Sequence, residues 1–216
     1  MTERPILFSD AMVRAILAGA KTMTRRVVAG ARGAFWDHRN YTGTVERDGV
    51  LRFREGSAGT IVRGAPEVRC PYGAVGDRLW VREAWTITRD ALAVYYRADY
   101  PSGNRMAKPA ESDYESVSAW ADRYHASKWH PSIHMPRWAS RLTLEVTSVR
   151  VERVQSISED DARAEGALSA KDQWSNIETA RDSFAHLWDS LNGERPGCSW
   201  RDDPWVWVVS FRRVSL

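Results

Sequence analysis

The sequence predicts an α+β fold, a mostly antiparallel β-barrel decorated by helices. Strand-like alternation recurs from the first residues to the last, and three short helix patterns stand between the strands. Their order is not a strict strand–helix alternation, which counts against a doubly wound parallel sheet. The 216 residues, 43% of them apolar, allow one large domain with a real core.

In chain order, "PILF" reads as a short strand. "DAMVRAIL" reads as a helix with Ser9 at its N-cap, Asp10 at its positive end and Gly19 closing it. "KTMTRRVV" is then extended. Residues 29–69, rich in Gly and Arg, read as an insertion that carries a mobile hairpin around "GVLRFRE". "RLWVREAWTI" and "AVYYRAD" are two strands joined by a turn at 88–90, with Leu79, Val81, Ala84 and Trp85 inward. Residues 100–137 form a second, irregular insertion.

"SRLTLEVTSVRVERVQ" is the clearest strand. Leu142, Leu144 and Val146 alternate inward, whereas Val149 and Val151 fall on the opposite parity, so a bulge is expected near 147–148. "SISEDDARAEGA" is a short helix with Ser158 and Asp161 as a capping pair and Gly166 as its stop. "SNIETARDSFAHLWDSLNG" is a longer helix, capped by Ser175 with Glu178 and ended at Gly193. "PWVWVVSFRR" is the closing strand, with Trp205, Trp207, Val209 and Phe211 on one face.

Net charge is +3, from 31 Lys and Arg against 28 Asp and Glu. The imbalance is local. Residues 1–69 hold 12 cations against 7 acids, and the remainder 19 against 21. A basic N-terminal third suits a nucleic acid or nucleotide partner. No apolar run approaches the ~20 residues of a membrane helix. The start "MTERPILFSD" has no signal-peptide pattern. A soluble cytoplasmic protein is therefore expected, as a monomer. Two cysteines far apart, Cys70 and Cys198, make neither a disulfide framework nor a zinc site.

The candidate chemistry starts at "GAKTMTRR". Lys21 just past a helix end is placed either to cap carbonyls or to act as a base. Arg25 and Arg26 would lower its pKa by like-charge repulsion. A lysine so tuned can take the proton of the Thr24 hydroxyl and make it a nucleophile. Glu165 sits in the last turn of its helix, where a carboxylate opposes the helix dipole by ~0.3–1 kcal/mol. It is out of place by helix logic unless it faces a cation such as Lys21. His130 and His134 stand four apart, but Pro131 and Pro136 argue against the regular helix that a metal pair would need. Lys128, Trp129, His130, Arg137 and Trp138 interleave aromatic and basic character, as a base-stacking surface would. Trp36, in the basic insertion, is a further stacking candidate. No Gly-rich phosphate loop or other nucleotide-cofactor motif is present, so no cofactor and no metal are expected.

The motif Gly19–Lys21–Thr24–Arg26 resembles that of the ASCH domain family, small β-barrels related to the PUA RNA-binding domains. That family's pattern is GxKxxExR, and here Thr24 stands at the Glu position. The departure resembles the bacterial ASCH amidohydrolase that acts on acetylcytidine, which uses a Lys, a Thr and a Glu, and Glu165 in "ARAEGA" matches its Glu. The segments "GDRLWVREAW", "SIHMPRWASR" and "PWVWVVSFRR" resemble larger ASCH proteins of phages and prophages. The resemblance implies a single PUA-like domain over 1–216, with insertions at about 29–69 and 100–137. It implies recognition of a modified nucleoside or RNA. Lys21, Thr24 and Glu165 would be the catalytic set of an amidohydrolase that deacylates the exocyclic amine of cytidine. Arg25, Arg26, Trp36, His134, Arg137 and Trp138 would bind substrate. The alternatives are a non-catalytic RNA-binding module and a ribonuclease, since the family includes both.

Overall fold

Five strands build the central sheet, and both of its faces are covered. The structure, a computed structural model, describes residues 1–29, 41–55, 59–87, 94–99, 129–167 and 179–214. The sheet runs β1 (Glu3–Leu7), β7 (Arg78–Arg82), β10 (Thr143–Arg153), β11 (Trp205–Val214), β2 (Met23–Val27). β1 and β7 are parallel and the other pairs are antiparallel. The fold is thus α+β and mostly antiparallel, as expected. The strands do not close into a barrel: β1 and β2 remain edges in the hydrogen-bonded order of the described residues.

Alternation along β11 divides the interior. Trp207, Val209 and Phe211 enter the main core with Ile6, Leu79, Val81, Leu144 and Val146. Val206 and Val208 point to the opposite face and meet Phe184 and Trp188. Those two come from α3 (Ala180–Asn192), which lies with α2 (Glu159–Ala164) on that side. α1 (Asp10–Leu17) packs Val13 and Ile16 into the main core. The bulge in β10 is where parity places it. Register slips between Val146, opposite Phe211, and Ser148, opposite Ser210. Thr147 is the extra residue, so Val149 and Val151 return to the main-core face.

The Gly- and Arg-rich segment contributes more than a hairpin. β3 (Tyr41–Val45) and β4 (Val50–Glu55) pair, with the short β5 (Thr60–Ile61) and β6 (Val68–Arg69) beside β4. Leu51, Phe53 and Cys70 are buried in the main core. β8 (Trp85–Ile87) and β9 (Val94–Tyr96) form the expected second hairpin. It heads a third cluster of Trp85, Ile87, Val94, Met135 and Ala139.

Helix α3 corrects one boundary. It starts at Ala180, with Thr179 as N-cap accepting from the Asp182 N–H, and not at a Ser175 cap. A Thr–x–x–Asp pair saturates the first turn just as well as the Ser–x–x–Glu pair further upstream. Residues 168–178, with Ser175 and Glu178, lie outside the described residues. Ser9 does stand at the N-cap of α1, but its side chain makes no capping bond.

Candidate functional site

Two helix ends meet to make the site. α1 ends in a Schellman turn: Gly19 N–H donates to Ile16 O and Ala20 N–H to Ala15 O, with Gly19 at φ +74°. α2 ends on Gly166 at φ +79°, whose N–H donates to Arg163 O. The two ends abut. Thr22 N–H donates to Ala164 O at 2.9 Å. A Cβ on Gly166 would stand 3.1 Å from Ala15 Cβ and 3.3 Å from Lys21 Cβ. Glycine there provides both the left-handed turn and the close approach.

This approach brings Lys21 to Glu165. Lys21 Nζ donates to the Glu165 carboxylate and to its main-chain carbonyl, both at 2.8 Å. The lysine side chain is wholly buried and that of Glu165 is 4% exposed. Lys21 therefore caps a carbonyl, but of α2 and not of its own helix. Burial lowers the Lys21 pKa. Glu165 opposes that shift, and Arg26 and Arg25 add to it with smaller effects. The like-charge repulsion expected from the sequence is present but secondary to desolvation.

Strand alternation in β2 sends its two arginines to opposite faces. Arg25 pairs in register with Val208 and points towards α2 and α3. Its guanidinium reaches Glu152 at 2.5 Å, Asp161 at 2.7 Å and Glu165 at 3.4 Å, and it lies over the Phe184 ring. Burial opposes its charge most strongly, yet the three carboxylates outweigh burial and raise its pKa. Arg150 closes the network by bridging Glu152 and Asp161. Arg26 pairs with Trp207 on the main-core side, lies over Phe8 and donates to Leu7 O.

Thr24, Arg25, Arg26 and Glu165 line one cavity of about 360 Å³ along the β2 edge. Tyr72 and Met12 line it too, and Phe184, Leu187, Trp188 and Arg195 form its α3 side. Lys21 is behind this wall. Thr24 is 3% exposed, with its backbone held opposite Val209.

The other candidates lie elsewhere. His134 is exposed at the end of a 3₁₀ turn, Ser132–His134. Arg137 pairs with Glu3 at 2.9 Å and lies over Trp80. Trp138 meets Trp85 edge-on, with ring centroids 6.0 Å apart. None of the three lines the cavity. Trp36 falls outside the described residues. Among the described residues no three His, Cys, Asp or Glu side chains gather as metal ligands would.

Sequence reasoning missed Glu152, Asp161, Tyr72 and Arg195. For Glu152 a signal existed: once the bulge is placed, Arg150 and Glu152 fall on the face away from the main core, beside the α2 side. Tyr72 and Arg195 carry no local signal, because they reach the cavity from distant segments.

Comparison with known proteins adds little. No family model matches the chain, and no curated protein does. One similar solved structure is described as the high-resolution crystal structure of an ASCH domain from Lactobacillus crispatus JV V101. It shares 13% identity over 98% of this chain and 79% of that one, with a TM-score of 0.35. At that level the likeness assigns neither fold family nor function. No helix among the described residues is long and apolar enough to cross a membrane.

Proposed function

We propose that this chain is an ASCH-type protein whose cavity receives a modified nucleoside, and that it hydrolyses the amide on the exocyclic amine of an acylated cytidine. The observation that carries this reading is the Lys21–Glu165 pair, buried directly behind the cavity wall to which Thr24 and Glu165 belong. A neutral amine has two N–H bonds and one lone pair. Glu165 accepts two bonds from Lys21 Nζ, one through its carbonyl and one through its carboxylate, which leaves the lone pair for an incoming proton. At rest Lys21 is the ammonium partner of Glu165; burial lowers its pKa, so the neutral form that serves as base is reached at lower pH than in a free lysine.

The chemistry then balances simply. Thr24 Oγ1 attacks the acyl carbon and its proton passes to Lys21. The C–N bond breaks, the proton goes to the leaving amine, and the acyl group stays on Thr24 as an ester. Water cleaves the ester and releases the carboxylic acid. Apolar Phe184, Leu187 and Trp188 supply a wall for the base.

Turnover of an acylated-nucleoside panel, followed by chromatography, tests this. Wild type should release free cytidine and Thr24→Ala should lose at least ~100-fold in rate, with Thr24→Ser retaining activity. The rate should rise with pH as Lys21 loses its proton, with a midpoint below the ordinary 10.5. Full activity in Thr24→Ala would remove it as the nucleophile. A second reading, a non-catalytic RNA-binding module, is favoured by two cavity arginines, Arg26 and Arg195, that have no carboxylate partner among the described residues. Its signature is salt-sensitive binding without turnover.

A further inference from the structure

The three arginines on the cavity are not alike. Arg25 is saturated by carboxylates. Arg26 has only a main-chain acceptor, Leu7 O at 2.5 Å, and its buried Nε has no hydrogen-bond partner. Arg195, exposed just beyond α3, meets only the side-chain oxygen of Asn192, at 3.4 Å. Tyr72 lines the same cavity. Burial pushes its phenol up, and the charges of Arg26 and, more weakly, Arg195 pull against that shift. Glu165, the one carboxylate among the lining residues, is already neutralised by Lys21 and Arg25. The Arg26–Tyr72–Arg195 end of the cavity therefore presents positive charge that no carboxylate among the described residues balances.

We propose that this end is a phosphate subsite, so that the ligand is a phosphorylated nucleoside and not a bare one. The proposal rests on the nucleoside reading above and narrows it. Two guanidinium forks and a phenol hydroxyl match the acceptor oxygens of a phosphate. A volume of about 360 Å³ lies within the range of sites for small molecules, with room for a base against the α3 wall and a phosphate at the basic end. The phosphate is supplied either by a mononucleotide or by an RNA backbone.

Calorimetric titration separates the cases without relying on turnover. The probes are cytidine, cytidine 5′-monophosphate, a short cytidine-containing oligoribonucleotide and inorganic phosphate. The monophosphate should bind roughly tenfold or more tightly than cytidine, and added salt should shrink the difference. Arg195→Ala should erase most of it; Arg195 is exposed, so that variant keeps the fold. Arg26→Gln should act in the same direction. An oligoribonucleotide as tight as the monophosphate assigns the subsite to a phosphodiester; a weaker one assigns it to a monoester. Equal affinities for cytidine and its monophosphate overturn the subsite and leave the nucleoside reading standing. Inorganic phosphate binding that Arg195→Ala abolishes, with no gain from the nucleoside, keeps the subsite and removes that reading. No binding of any probe overturns both.

Discussion

Glu165→Ala is expected to cost about 3–5 kcal/mol of stability, and with it all turnover. The carboxylate it removes is 4% exposed and holds two buried cations, Lys21 at 2.8 Å and Arg25 at 3.4 Å. Without it Lys21 keeps one acceptor, the residue-165 carbonyl, for a charge sealed from water. Against a typical total of about 5–15 kcal/mol, that loss is severe. Glu165→Gln keeps the shape and an acceptor for Lys21 while removing the charge, so it should cost less and still stop turnover. Lys21→Met is milder than Glu165→Ala, because Arg25 remains to balance the carboxylate. Urea denaturation of the three variants measures this. A Glu165→Ala loss below about 1 kcal/mol would contradict a buried pair.

Arg25→Met is expected to rank next, also at about 3–5 kcal/mol. It leaves Glu152 and Asp161 dependent on the half-exposed Arg150, and Glu165 on Lys21 alone. Arg25→Lys should recover less than half of the loss, since one ammonium cannot present the planar fork that reaches three carboxylates. The kinetic signature separates positioning from substrate contact. Arg25 lines the cavity, but its guanidinium is held by Glu152, Asp161 and Glu165, so Arg25→Lys should lower kcat with little change in KM. A raised KM at unchanged kcat would instead make Arg25 a substrate contact, as its neighbourhood in the sequence suggests.

That contrast marks what the sequence makes legible. Helix logic singles out Glu165, because a carboxylate at a C-terminus needs a cation, and the structure supplies two. Parity places the bulge near Thr147 and the inward face of β11. Parity also separates Arg25 from Arg26, but only once β2 is known to lie beside β11 with α2 and α3 on one side. That pairing joins distant residues such as Arg26 and Trp207, and no local pattern announces it. The same limit hides the burial of Leu51 and Phe53. Their segment is rich in Gly and Arg and reads as an excursion, yet two alternating apolar residues suffice to anchor it in the core. An open sheet also differs from an expected barrel only in whether its two edge strands pair, and that is a long-range property.

The most direct test of the proposed chemistry is mass spectrometry of the protein quenched in acid during turnover of acetylcytidine. An acetyl group should appear on the peptide that contains Thr24, accumulate in a variant slowed in the second step, and be absent from Thr24→Ala. Deacetylation at full rate with no adduct on that peptide, or with an adduct on any other residue, would contradict the assignment of Thr24 as nucleophile.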